Sequence, residues 1–233
     1  MRNLQLSGPA GRLEAVLNEG SPGAAFAALV CHPHPLGGGS LHNKVVYHAM
    51  KVLNAPHWGF GWPVLRFNFR GTELSEGKHD GTAETDDVLA ALAWIENEYN
   101  LPIVVAGFSF GAAMALRACC GNAVAPNPTL DVRALIAIGI PIRTGAVGAD
   151  TSGYDYSFLA HCAIPKLFLS GDHDQYATQA ELIQAAATAA DPKHVALVPG
   201  ADHFFTGHLA AMQSALSGWL KEYAYDPGQR SYI

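Results

Sequence analysis

No apolar run in these 233 residues approaches the roughly 20 residues of a membrane-spanning helix, and Met1 to Ala10 lack the apolar core of a secretion leader. Basic residues are few: 14 Lys and Arg stand against 20 Asp and Glu, giving a formal charge of -6. That charge is spread without a basic cluster, which removes the electrostatic footprint expected of a binder of nucleic acid or of an anionic membrane. Cysteine is limited to Cys31, Cys119, Cys120 and Cys162, all in apolar runs and without the spacing of zinc sites or secreted disulfide frameworks. They read as buried thiols in a reducing compartment. Internal repeats and low-complexity segments are absent too. What is left is a soluble cytoplasmic protein whose partner is a neutral or weakly polar small molecule. A homodimer is one assembly the sequence allows.

The chain is apolar enough, at 49%, to build a full core, and its length suits one α/β domain over residues 1–233. Asn3 to Ser7 and Arg12 to Asn18 alternate in polarity around Gly8-Pro9-Ala10-Gly11, which predicts an N-terminal β-hairpin within residues 1–20. Continuous apolar runs then predict strands covered on both faces at Ala24 to Cys31, Pro63 to Phe69, Ile103 to Phe108, Val132 to Ile140, Lys166 to Ser170 and His194 to Val198. Helical spacing lies between them. Val45 to Leu53 and Glu84 to Tyr99 are helices, Thr178-x-x-Glu181 is a capping box, and an apolar face beginning at Leu209 marks a closing helix. A Pro-rich stretch after Gly121 is loose, and so is the tail from Asp226 to Ile233. Pro141 to Ala163 is too short for a separate lid, though a helix around Tyr154 to His161 fits.

The richest stretch is Gly107-Phe108-Ser109-Phe110-Gly111, a G-x-S-x-G turn between a β-rich run and a small-residue helical run. A serine on so sharp a turn needs neighbours two residues away that are nearly free of side chain, which Gly107 and Gly111 supply. The turn also brings the Phe110 amide to a helix N-terminus, where partial positive charge favours a forming oxyanion. Chance supplies about 0.1 such matches in this composition, so the flanking strand and helix are what give the motif weight. A hydroxyl needs an imidazole to take its proton and a carboxylate to orient that imidazole. Two further strand ends offer these parts, Asp172 or Asp174 after one and His203 after the last, in chain order Ser, Asp, His.

This combination resembles the α/β-hydrolase superfamily over essentially the whole chain after the hairpin. More narrowly, His32-Pro33-His34-Pro35 with Gly37-Gly38, Asn43-Lys44-Val45-Val46, Arg66-Phe67-Asn68-Phe69-Arg70-Gly71 and the Ser109 turn look like lidless bacterial serine hydrolases near the dienelactone hydrolases. The resemblance implies an α/β-hydrolase fold: a mostly parallel central sheet with helices on both faces and no separate lid domain. It implies Ser109 as nucleophile, His203 as base and Asp174, three residues after Gly171, as the orienting acid; Asp172, from local turn chemistry, reads as hydrogen-bonding its own turn. The bland alternative for Asp174 is a cap on a helix beginning near Gln175. The oxyanion donors would be the amides of Phe110 and His34. Leu36 is the alternative donor and is placed with Glu73, which stands where such proteins carry a glycine, at the substrate. The bland alternative for His32 and His34 is a structural hydrogen bond to the neighbouring loop. His32 and His34, together with His173 or Asp172, raise a metal site, but three protein ligands at recognisable spacing are absent, so neither metal nor cofactor is assigned. The expected activity is carboxylester hydrolysis of small or medium acyl groups. A thioesterase, peptidase or acyltransferase on the same residues is the first rival, and a non-catalytic ligand-binding member of the fold the second.

Overall fold

The computed structural model describes residues 1–121, 130–143 and 154–224. The loose stretch expected after Gly121, the middle of the connection from Pro141 to Ala163 and the tail from Asp226 lie outside the described residues. Strand β1 (Arg2–Gly8) turns back on β2 (Gly11–Asn18) as an antiparallel hairpin, with Gly8 opposite Gly11. Then come β3 (Ala27–Cys31), α1 (Lys44–Asn54), β4 (Val64–Phe67), α2 (Glu84–Tyr99), β5 (Ile103–Phe108) and α3 (Phe110–Cys120). The chain continues through β6 (Val132–Ile138), β7 (Lys166–Gly171), α4 (Gln179–Thr188), β8 (Lys193–Val198) and α5 (Leu209–Trp219).

Local chemistry fixes these limits. The Asn43 side chain accepts from the Val45 amide to start α1, and Glu84, Asp86 and Asp87 place negative charge in the first turn of α2. Asn100, at φ 50°, ends α2 in a left-handed cap. Thr178 and Glu181 close the capping box at the head of α4. Strand β6 stops two residues short of Ile140 because Gly139 turns left-handed at φ 55°. Around Tyr154 to His161 the helix is only a five-residue 3-10 turn, Ser157–His161.

The eight strands form one sheet in the order β1-β2-β4-β3-β5-β6-β7-β8, antiparallel up to β4 and parallel from there on. One face carries α1 and α5, whose Val46, Ala49, Met212 and Leu216 pack on Val30, Val104 and Ile136. The other carries α2, α3 and α4 on Leu29, Val105 and Leu135. Apolar groups thus leave water on both sides of the sheet, as the continuous hydrophobic strands require. No described helix is long and apolar enough to cross a membrane.

The cysteines depart from expectation. Cys120, at the end of α3, and Cys162, just past the 3-10 turn, are joined in a disulfide across 42 residues, their Cα atoms 5.3 Å apart. Packing of the α3 terminus against that turn brings them together, a tertiary contact that no sequence spacing announces. Cys31 and Cys119 are free, and burial pushes the Cys119 thiol up to about 12.

Candidate active site

The chain passes from β3 to β4 on one side and then crosses to β5 on the other, so the loops after β3 and β5 diverge at the carboxyl end of the sheet. In open α/β sheets ligands bind at such a divergence. Ser109 stands there, between the last residue of β5 and the first of α3, at φ 54° and ψ -122°. Both flanking glycines are required by contact. A Cβ on Gly107 would fall 2.4 Å from the Gly111 carbonyl oxygen, and one on Gly111 would fall 2.4 Å from that of His32. Ser109 therefore holds a strained conformation that the close packing of β3, β5 and α3 enforces.

Two other strand ends reach the same point. The loop after β8 brings His203 Nε2 to 3.0 Å from Ser109 Oγ, and the loop after β7 brings Asp174 Oδ2 to 2.8 Å from His203 Nδ1. Asp174 and His203 are buried. Because the carboxylate accepts, Nδ1 carries the ring hydrogen, and Nε2 is left to accept from the serine hydroxyl. Asp174 is further held by the Ser170 hydroxyl at 3.1 Å and the Tyr176 amide at 2.8 Å. It caps no helix, since α4 begins at Gln179 behind its own cap, Thr178. Asp172 faces elsewhere: its Oδ1 accepts from the Gly200 amide at 2.7 Å, tying the ends of β7 and β8 together rather than its own turn.

The His203 ring is wedged from several directions. Phe108 lies 4.9 Å below it, Tyr176 4.4 Å and Phe204 5.1 Å away between ring centroids. Gly139 makes room beside these rings, since a Cβ there would crowd His203 Cε1 and Phe108, each at 3.2 Å. Its φ of 55° suits glycine for a second reason.

The loop after β3 divides its two histidines between different tasks. His32 is fully buried; its Nδ1 donates to the Pro33 carbonyl at 2.6 Å and its Nε2 accepts from the Phe69 amide at 3.0 Å, stapling this loop to the end of β4. Burial holds the His32 imidazole down at about 4. A folded-state value below the unfolded 6.5 means that the unfolded chain binds more protons as pH falls. Stability from this group is thus whole above pH 6.5 and is lost on the way down to pH 4. Urea midpoints of the wild type should fall by the equivalent of about 3 kcal/mol more than those of His32→Gln between pH 7.5 and 4. Equal slopes would remove the staple from the pH dependence.

His34 faces the site. Its Nδ1 accepts from the Leu36 amide at 3.2 Å, and its ring packs 5.0 Å from that of Phe110. Among the described residues, no backbone acceptor takes the amide hydrogen of His34 or of Phe110. The Leu36 amide is engaged by His34, and its side chain, 67% exposed, is not among the residues that line the cavity. Glu73 is not among those lining residues either. It is exposed at φ 49° on a turn that folds back toward β2, where Glu76 pairs with Arg12 and the Ser75 hydroxyl donates to the Asn68 carbonyl. The buried Arg70–Asp87 pair, 2.7 Å, fixes that direction.

A cavity of about 220 Å³ opens over Ser109, lined by His34, Phe110 and His203 and also by Asn43, Arg143, Tyr154, Tyr176 and Phe204. The last five carry no role in the sequence reading. Asn43 stood only in the family pattern, and Tyr176 and Phe204 lay within two residues of Asp174 and His203, a proximity that offered a signal. Arg143 and Tyr154 lie in the connection after β6, where only the rule of carboxyl ends points. Among the described residues, no three His, Cys, Asp or Glu side chains are gathered as a metal site.

A family model described as an alpha/beta hydrolase domain matches residues 29–220. An uncharacterized protein of Rickettsia prowazekii is 35% identical, over 94% of this chain and 89% of its own. Two solved structures align with a TM-score of 0.77 at 29% identity. One, from Xanthomonas campestris, is described as an a/b serine hydrolase without lid and covers 95% of this chain and 94% of its own. The other, an alpha-beta serine hydrolase homologue from Coxiella burnetii, covers 94% and 97%.

Proposed function

Because the chain belongs to the alpha/beta hydrolase family, we propose that it is a serine hydrolase cleaving carboxylic esters of small or medium acyl groups through an acyl-enzyme. The observation that carries this reading is the chain of contacts from Ser109 through His203 to buried Asp174 at the floor of an open cavity. Ser109 Oγ attacks the ester carbonyl as its proton passes to His203 Nε2. The unengaged amides of Phe110 and His34 take the developing oxyanion, the first at the N-terminus of α3. His203 then returns the proton to the departing alkoxide, and water, activated by the same imidazole, releases the acid and frees Ser109. No step calls on a cofactor.

The test pairs turnover with labelling. The protein should hydrolyse p-nitrophenyl esters of short and medium chain faster than matched thioesters or peptide anilides, and an organophosphate should attach once, on the peptide that carries Ser109. Labelling elsewhere, or thioester turnover exceeding that of the ester, would redirect the assignment.

A further inference from the structure

Arg143 is the one cavity-lining side chain among the described residues that carries a permanent charge; none of the others is Asp, Glu or Lys. The chain as a whole carries -6, so a cation at the mouth of its cavity runs against the prevailing charge. Its position is built. The amides of Ile142 and Arg143 both donate to the Tyr176 carbonyl, at 3.1 and 2.9 Å, which ties this segment to the loop bearing Asp174. The guanidinium Nε donates to Glu181 Oε1 at 2.8 Å. Glu181 in turn accepts from the Thr178 amide at 2.9 Å and hydroxyl at 2.7 Å, and these bonds, the hydroxyl first and Arg143 next, push its carboxyl down to about 2. Glu181 therefore stays an acceptor at any working pH and holds the arginine by one nitrogen. Both terminal nitrogens of the fork find no acceptor among the described residues. A fork with two parallel N–H groups free is the geometry that receives a carboxylate.

We propose that the site selects esters that bear a carboxylate away from the scissile bond, with Arg143 as its receptor and Glu181 as the splint that positions Arg143. The inference rests on the serine-hydrolase reading and narrows its substrate class. A neutral ester of equal length would leave the arginine to water, so discrimination comes from one charge-assisted contact at a partly exposed group, 54% accessible in its side chain. A contact of that kind is worth about tenfold in kcat/KM, mostly through KM, and weakens as salt is added.

Two pairs of probes test it. In the first, 4-nitrophenyl hydrogen glutarate is compared with its methyl-capped diester, placing the charge on the acyl side. In the second, 4-carboxyphenyl butyrate is compared with its methyl ester, placing the charge on the alcohol side. In at least one pair the anionic member should lead by about tenfold, and the lead should shrink in high salt. The ratio should fall to about one in Arg143→Gln and be partly restored in Arg143→Lys. Titration of the same pairs into Ser109→Ala by calorimetry reads affinity without turnover. If no ester is hydrolysed yet the anionic member still binds about tenfold tighter, the serine-hydrolase reading fails while the receptor stands. A ratio near one in both pairs and in both assays, or a lead that Arg143→Gln leaves intact, overturns the inference and leaves the hydrolase reading untouched.

Discussion

Replacing Ser109 by alanine is expected to lower kcat for a p-nitrophenyl ester by roughly 10⁶ and to abolish labelling by an organophosphate. The size follows from the loss of the only group that can form the acyl-enzyme, after which the amides and the imidazole can at best steer a water. The fold should survive. Alanine meets the same left-handed φ as serine, and among the described residues the lost hydroxyl is bonded only to His203. Steady-state rates with the melting temperature measured alongside decide the matter. A variant within tenfold of the wild type would move the nucleophile away from Ser109.

Asp174→Asn is expected to lower kcat by about 10⁴ with little change in melting temperature. An asparagine can keep its oxygen on the Tyr176 amide, but the arm facing His203 Nδ1 then becomes a donor. The ring must answer with Nδ1 as acceptor, so its hydrogen moves to Nε2 and the base toward Ser109 is lost. Asp172→Asn should cost less than about tenfold in kcat, because the amide oxygen still accepts from Gly200 and no contact to His203 is at stake. The reverse ranking of the two variants would make Asp172 the orienting acid.

Much of this architecture was legible in the sequence because its signals are local. The apolar strands, the Thr178–Glu181 box and the glycines around Ser109 each follow from contacts within a few residues, so the sheet and the nucleophile's turn could be read directly. Asp174 was separable from Asp172 only by family pattern, since two residues on one loop carry no information about which of them meets the His203 ring. The disulfide was not legible, because Cys120 and Cys162 meet only through the packing of α3 on the segment before β7. The direction of the turn that carries Glu73 was not legible for a related reason. A loop's end can be located from its strand, but the direction of its tip is set by distant partners, here the Arg70–Asp87 and Arg12–Glu76 pairs. Arg143 was missed because its meaning depends on Tyr176 and Glu181, more than thirty residues away.

The packing around His203 bears on how a proton is carried through the cycle. With Nδ1 bonded to Asp174 and three aromatic rings set about it, the imidazole is held in one orientation toward Ser109. In the proposed mechanism a single nitrogen must collect the hydrogen from Ser109 and surrender it without reorientation, so the departing oxygen has to come within hydrogen-bond reach of the place where the serine oxygen began. The choreography is thereby shifted onto the substrate: alcohols able to pivot about the tetrahedral carbon toward Nε2 will leave quickly, and stiff or bulky ones will return to ester before they escape.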